Sequence, residues 1–229
     1  EYPQVASETN NAAETEEGGQ KPESAITFEL ITEFIRTIPT FLKVSEQVLS
    51  DSEYMASFLD ARLRYFVRRK LQSQMLVGDG TAPNMKGIHT AGRFEAFVGT
   101  NGAHGLDSIN EAKVQVATND YEANVVLLNP VDLGKIERLK DTTESYLGGN
   151  GGAVYFPGNG MPPMIWGLNV VASNDVVADT FTVMDINAMQ LIINSDVELK
   201  YIDQDEDNAQ KNLVTVRAEL RAGLAVYDV

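Results

Sequence analysis

The chain has 229 residues, 43% of them hydrophobic, a formal net charge of −15 and no cysteine. That length suits one large domain or two small ones with a buried core, and the missing cysteines exclude disulfides, thiolate metal sites and cysteine nucleophiles. The acidic balance argues against a protein built to grip nucleic acid, which draws on clustered Lys and Arg; without a window near ~18 consecutive apolar residues or a signal-peptide pattern, no membrane association is expected.

Residues 1–25 hold six glutamates against the single Lys21 and almost no large apolar side chain. Such a stretch cannot offset its own ordering entropy, so it is expected to be mobile unless a partner fixes it. Ile26, Phe28, Leu30, Thr32 and Phe34 then alternate with Thr27, Glu29, Ile31, Glu33 and Ile35, which predicts a strand. Polar tip and strand together read as an extended hairpin arm whose first limb is incomplete.

Ser50 and Glu53 have capping-box spacing, and Met55, Leu59, Leu63, Phe66, Leu71 and Met75 follow at helical spacing. A long amphipathic helix is predicted over Ser52–Leu76, roughly 37 Å at ~1.5 Å per residue, stopped by Gly78 and Gly80. Leu106–Thr118 predicts a helix and Val125–Leu128 a short buried strand. Asn129-Pro130 opens a helix to about Lys140, and Gly148–Pro163 is a Gly/Pro-rich loop. Ile165–Val171, Thr180–Met184 and Val197–Ile202 read as strands, with an apolar stretch at Met189–Ile193. An acidic turn, Asp203–Gln210, leads to the last segment.

That segment, Asn212–Asp228, places Val214, Val216, Ala218, Leu220, Ala222, Leu224 and Val226 on one face of a strand. Thr215, Arg217, Glu219, Arg221 and Tyr227 fall on the other. About 15 residues of strand would reach roughly 50 Å, far beyond an average strand, which suits a protein that braces a surface.

Signs of chemistry are sparse. His89 and His104 sit in Gly-rich loops without metal-ligand spacing, and a loop histidine is more often solvated than catalytic. No G-x-S-x-G elbow occurs. Gly78-Asp79-Gly80 and Gly148–Gly152 fit neither phosphate-loop pattern and read as turns. No cofactor or metal is expected. Arg62, Arg64, Arg68, Arg69 and Lys70 crowd one stretch of the long helix: either a solvated face, or a surface that meets an acidic segment of another copy.

The order of several motifs resembles the tailed-phage major capsid proteins of the Hong Kong 97-like fold. They are Lys21-Pro22-Glu23-Ser24 before the strand, Val44–Asp51 before the helix, and Leu76-Val77-Gly78-Asp79-Gly80 with Gly87-Ile88 after it. Val126-Leu127-Leu128-Asn129-Pro130, Leu139-Lys140-Asp141, Trp166–Val171 and Arg217-Ala218-Glu219-Leu220-Arg221 follow. The resemblance implies an α+β capsid fold with a long spine helix, long P-domain strands, an α/β A-domain and an extended E-loop hairpin. The implied parts are the E-loop at 1–45, the P-domain at 46–86 and 196–229, and the A-domain at 87–195.

It also implies a structural virion protein, assembled in the bacterial cytoplasm through pentamers and hexamers into an icosahedral shell. Such a shell encloses DNA without sequence-specific binding, with portal, protease, scaffold or decoration proteins as further partners. Interface candidates are Lys21, Glu23, Arg62, Arg68, Arg69, Asp203, Asp205, Asn212 and Glu219. In the family's type member a lysine joins a neighbour's asparagine with help from a glutamate. Asn212 and Glu219 match the latter two, but Gly18 stands at the lysine position, so no such bond is expected. The resemblance also implies that the sequence opens inside the E-loop, the family's N-terminal arm having been cleaved, truncated or left out of it. Rival readings are an encapsulin-type shell around protein cargo and an α/β enzyme binding an anionic ligand through Gly148–Gly152.

Overall fold

The computed structural model describes residues 1–51, 53–99, 105–140, 154–155, 163–205 and 208–227. In chain order its elements are β1 (Tyr2–Thr9), β2 (Ala25–Ile31), β3 (Arg36–Ser45), α1 (Glu46–Asp51), α2 (Glu53–Val77), α3 (Gly105–Thr118), β4 (Val125–Leu128) and α4 (Pro130–Glu137). There follow β5 (Val154–Tyr155), β6 (Met164–Ile165), β7 (Leu168–Ala172), β8 (Phe181–Met184), a 3₁₀ turn (Ile186–Ala188), β9 (Met189–Ile202), α5 (Asn208–Lys211) and β10 (Leu213–Val226). They form two compact units, Glu1–Arg93 with Gln190–Val229, and Phe94–Met189.

In the first unit the alternating C-terminal segment becomes β10, the central strand of a sheet ordered β3–β10–β9. Its antiparallel register with β3 runs from Leu213 opposite Ser45 to Ala222 opposite Arg36. Val216, Ala218, Leu220, Ala222 and Leu224 are at most 2% exposed, while Arg217, Glu219 and Arg221 keep solvent contact. Past Ala222 both faces are buried, and Thr215, expected on the wet face, is only 4% exposed, so the one-sided pattern holds only from Val216 to Ala222. The sequence reading had no strand at β3. Pro39, opposite Glu219, has no N–H to donate and is tolerated because β3 is an edge strand. β9 is one continuous 14-residue strand rather than an apolar stretch and a separate strand.

α2 lies within one residue of its predicted ends and packs on β3 and β10. Leu63, Val67, Leu71 and Gln74 form its buried stripe, and each buried aliphatic chain contributes about 1.5–3 kcal/mol. Phe66 was expected in that stripe but is 43% exposed; Val67, one position on, faces inward instead. Nor does Ser50 cap α2. It lies within α1, where its hydroxyl donates to the Gln47 carbonyl at 3.0 Å; α1 starts upstream because the Glu46 N–H finds the Asn212 carbonyl at 2.9 Å.

The exit of α2 is a close backbone junction. Gly87 N donates to Gly78 O (2.8 Å), Ile88 N to Met75 O (2.8 Å) and His89 N to Leu76 O (3.0 Å). The Gln74 side chain accepts from buried Met85 N at 2.9 Å. A Cβ on Gly78 would stand 2.3 Å from the Met85 carbonyl oxygen, so this position admits only glycine without a backbone shift.

The second unit holds a five-stranded sheet ordered β5–β6–β7–β4–β8, with β4 parallel to β7 and antiparallel to β8. Ile109, Val126, Leu128, Val154, Ile165, Leu168 and Val170 form its core. The predicted strand Ile165–Val171 is instead a tight hairpin, Ile165 pairing with Leu168. Trp166 and Gly167 both have positive φ, 51° and 81°, the requirement of a two-residue turn that matches strand twist. Trp166 Nε1 donates to Leu106 O (2.8 Å), and Lys113 Nζ to Trp166 O (2.8 Å), which fixes the turn on α3. The helix predicted to open at Asn129-Pro130 is α4, ending at Glu137 rather than near Lys140; Asn129 caps it, accepting from Val131 N at 2.9 Å. Among the described residues no helix is long and apolar enough to cross a membrane.

Candidate assembly surface

The first limb of the hairpin arm, expected to be incomplete and mobile, is instead the ordered strand β1. It pairs antiparallel with β2 from Tyr2 opposite Ile31 to Thr9 opposite Ala25, with an irregularity between Val5 and Ser7. A segment poor in apolar residues is thus a strand because its partner lies close in sequence and supplies the ladder. Residues directly opposite share a face, so Pro3 and Val5 join Leu30 and Phe28. Ile26, Phe28 and Leu30 are 52%, 65% and 64% exposed. Aliphatic and aromatic side chains lined up along one open face mark an interaction surface rather than a core.

The tip between the limbs turns on Gly18, whose φ is 85°, with Gly19 N donating to Glu16 O at 2.9 Å. A lysine at position 18 would have to adopt a left-handed backbone that glycine accepts without strain. Asn11 ties the tip together, bonding Ser24 Oγ through its N–H (3.0 Å) and the Glu23 carbonyl through its side chain (2.8 Å). Lys21 and Glu23 are exposed beside this junction.

At its root the arm is fastened twice. The Tyr2 hydroxyl accepts from Val226 N at 3.2 Å, and its ring stands edge-on to Tyr227 at 5.5 Å. The predicted strand through Ile35 stops at Ile31, where β1 ends as a partner, and Glu33 forms an ion pair with buried Arg93. Nothing in the charge pattern singled out Arg93; only the fold brings its acceptors together.

The remaining candidates lie on separate elements. Arg62 stacks over the rings of Tyr65 (5.2 Å) and Phe66 (4.9 Å). On the adjoining side of α2, Arg64, Tyr65, Arg68 and Arg69 line a shallow groove, with Arg64 Nη1 held by Val197 O at 2.8 Å. Arg68 is exposed and Arg69 half-buried. On the wet face of the sheet Glu219 pairs loosely with Arg217, 3.7 Å apart, opposite Pro39 and exposed Phe41. Asn212, at φ 50°, makes the left-handed step into β10. Asp203 is exposed; Asp205 is used internally, accepting from Thr215 Oγ1 at 3.3 Å and, through its carbonyl, from Asn208 N at 2.9 Å.

His89 was expected to be solvated but is half-buried, and burial holds its imidazole below its ordinary pKa. His104 and Gly148–Gly152 lie outside the described residues. Gly78-Asp79-Gly80 is a turn: Asp79 Oδ1 accepts from Asn84 Nδ2 and Thr81 N, each at 3.0 Å, which lowers its pKa, Asn84 first. Among the described residues no three His, Cys, Asp or Glu side chains are grouped to hold a metal.

An arm with an open apolar face, a long helix on a sheet and a second α/β unit match known proteins along the whole chain. The family model described as the phage capsid family matches residues 1–229. The chain belongs to the phage capsid family. It is 35% identical over 221 residues to the major capsid protein of Enterobacteria phage HK97, covering 96% of this chain and 56% of that protein. The chain thus spans little more than half the length of this capsid-family relative. Solved structures share its α+β Hong Kong 97-like capsid fold. One from Microbacterium phage Oxtober96 has a TM-score of 0.69 at 19% identity, over 99% of this chain and 80% of that one. The capsid of an empty GTA particle has a TM-score of 0.71 at 18% identity, over 98% and 80%. Membership in this capsid family does not favour the enzyme and encapsulin readings.

Proposed function

We propose that this chain is the shell-forming part of a phage major capsid protein, a structural subunit that assembles through pentamers and hexamers into an icosahedral shell around DNA. The observation that carries the reading is the arm: Ile26, Phe28 and Leu30 are more than half exposed on a hairpin whose strands pair only with each other. A two-stranded hairpin is marginal alone in water and gains its partner surface from a neighbour. The arm is the E-loop, α2 the spine helix, the β3–β10–β9 sheet the P-domain, and the Phe94–Met189 unit the body of the A-domain. The Arg64–Arg68–Arg69 groove faces an acidic segment of another copy, where opposite charge sets register and speeds encounter. Portal, protease, scaffold and decoration proteins complete a virion assembled in the bacterial cytoplasm.

No covalent crosslink forms, because Gly18 offers no amine and Lys21 lies three residues further along the tip, while a lysine nucleophile needs its amine in bonding reach of the amide. Electron microscopy of the expressed chain tests the assembly reading: rings or shells are expected, and a monomer persisting at high concentration in sedimentation overturns it. Boiled denaturing gels of the particles should show a single band.

A further inference from the structure

Arg93 is the one buried arginine among the described residues, 6% exposed. Its guanidinium reaches three separate segments: the Lys86 carbonyl after α2 (2.7 Å), the Leu224 carbonyl in β10 (3.3 Å) and the Glu33 carboxylate just past β2. A buried cation is stable only with a counter-charge and its donors satisfied, and here the counter-charge comes from the arm. The other limb is held at the same end of β10, through Tyr2 and Val226. Beyond this root every β2 residue except Ile31 is exposed, so the arm's stance is set where Tyr2, Ile31, Arg93 and Val226 surround a cavity of about 40 Å³.

We propose that the Arg93–Glu33 pair is a positioning clasp that fixes the angle at which the arm presents its apolar stripe to a second copy. The arm then docks preorganised, and association avoids the ordering cost of a loose hairpin. The clasp deepens the shell-subunit reading and rests on it for its biological consequence, although its local effect is measurable in the unassembled chain.

The test compares Glu33→Gln and Arg93→Lys with the wild type and with Glu29→Gln, a control on exposed β2. Hydrogen exchange of the unassembled chain is the first readout. Both clasp variants should exchange β1 and β2 amides roughly tenfold to hundredfold faster, the factor expected for losing a charge-assisted hydrogen bond. Amides of α2 and of the Phe94–Met189 unit should stay unchanged. Electron microscopy is the second readout, with fewer and less uniform shells expected for the clasp variants. Unchanged arm exchange in Glu33→Gln, or an arm already unprotected in the wild type, overturns the proposal; should Arg93→Lys fail to fold, Glu33→Gln alone decides. If the wild type forms no shells while Glu33→Gln still loosens the arm, the shell reading fails and the clasp stands.

Discussion

Replacing Gly78 by alanine tests whether the exit of α2 is limited by steric approach of backbone to backbone. The added Cβ would lie 2.3 Å from Met85 O and 2.5 Å from Gln74 O, whereas ordinary contact begins near 3.4 Å. The last turn of α2 and the loop at Met85 must therefore part by about 1 Å, and overpacking of this kind costs about 1–3 kcal/mol. Separation also strains Gly80 N→Met85 O (2.9 Å) and Met85 N→Gln74 Oε1 (2.9 Å), each worth about 1 kcal/mol. A loss of roughly 2–5 kcal/mol is expected, confined to the first unit. The single tryptophan, Trp166, lies in the second unit. Guanidinium unfolding followed by far-ultraviolet ellipticity should therefore shift in Gly78→Ala more than unfolding followed by tryptophan fluorescence. Gly134→Ala, in a helix with no atom within 4 Å of the new Cβ, should instead stabilise by about 0.5–1 kcal/mol. A Gly78→Ala midpoint equal to wild type would refute the steric argument.

Asn129→Ala should destabilise the second unit by about 1–2 kcal/mol, since it removes the α4 cap and the 2.7 Å bond to Val176 O; fluorescence-detected unfolding measures it. Tyr201 is pushed up to about 12, by desolvation first and then by its hydrogen bond to Asp60. Its raised value contributes stability that is present below pH 10 and lost between 10 and 12. Phenolate absorbance should lose its latest-titrating component in Tyr201→Phe, and an unchanged curve would count against this. The Asp132 carboxyl is held below its ordinary range by the Lys135 ammonium and then by Asp179 N–H. Its contribution is present at neutral pH and lost as pH falls below about 4, so wild type and Asp132→Asn should converge in stability there; a constant gap between pH 7 and pH 3 would refute it. Arg68→Glu should slow assembly about tenfold at low salt and flatten its salt dependence, measured by light scattering.

Where local pattern and burial agree, the sequence was a sufficient guide. Leu63 and Leu71 recur at helical spacing and Val216 to Ala222 alternate, and both patterns survive as buried stripes. β1 was hidden because Tyr2–Thr9 has no apolar rhythm; its strand character comes from β2. The Trp166-Gly167 turn was hidden inside a run of apolar residues that reads as one strand, although Gly167 was a usable signal. Arg93 was illegible for a different reason: its acceptors, Glu33, Lys86 and Leu224, are scattered along the chain and meet only after folding. Of the candidate interface residues, Asp205 carries an internal hydrogen bond that charge counting alone does not reveal.

The pairing of Ser45 with Leu213 also has a consequence for biosynthesis. The two residues are made about 170 positions apart, an interval of roughly 8–35 s at ~5–20 residues per second. During that delay Leu63, Val67 and Leu71 have no β10 to cover them. The Phe94–Met189 unit, continuous in sequence, already holds every strand of its own sheet. The inserted unit is therefore expected to fold before the unit that hosts it, whose sheet is completed only when β10 emerges. A chain that stops short of β10 lacks the central strand of the β3–β10–β9 sheet, so the first unit cannot close.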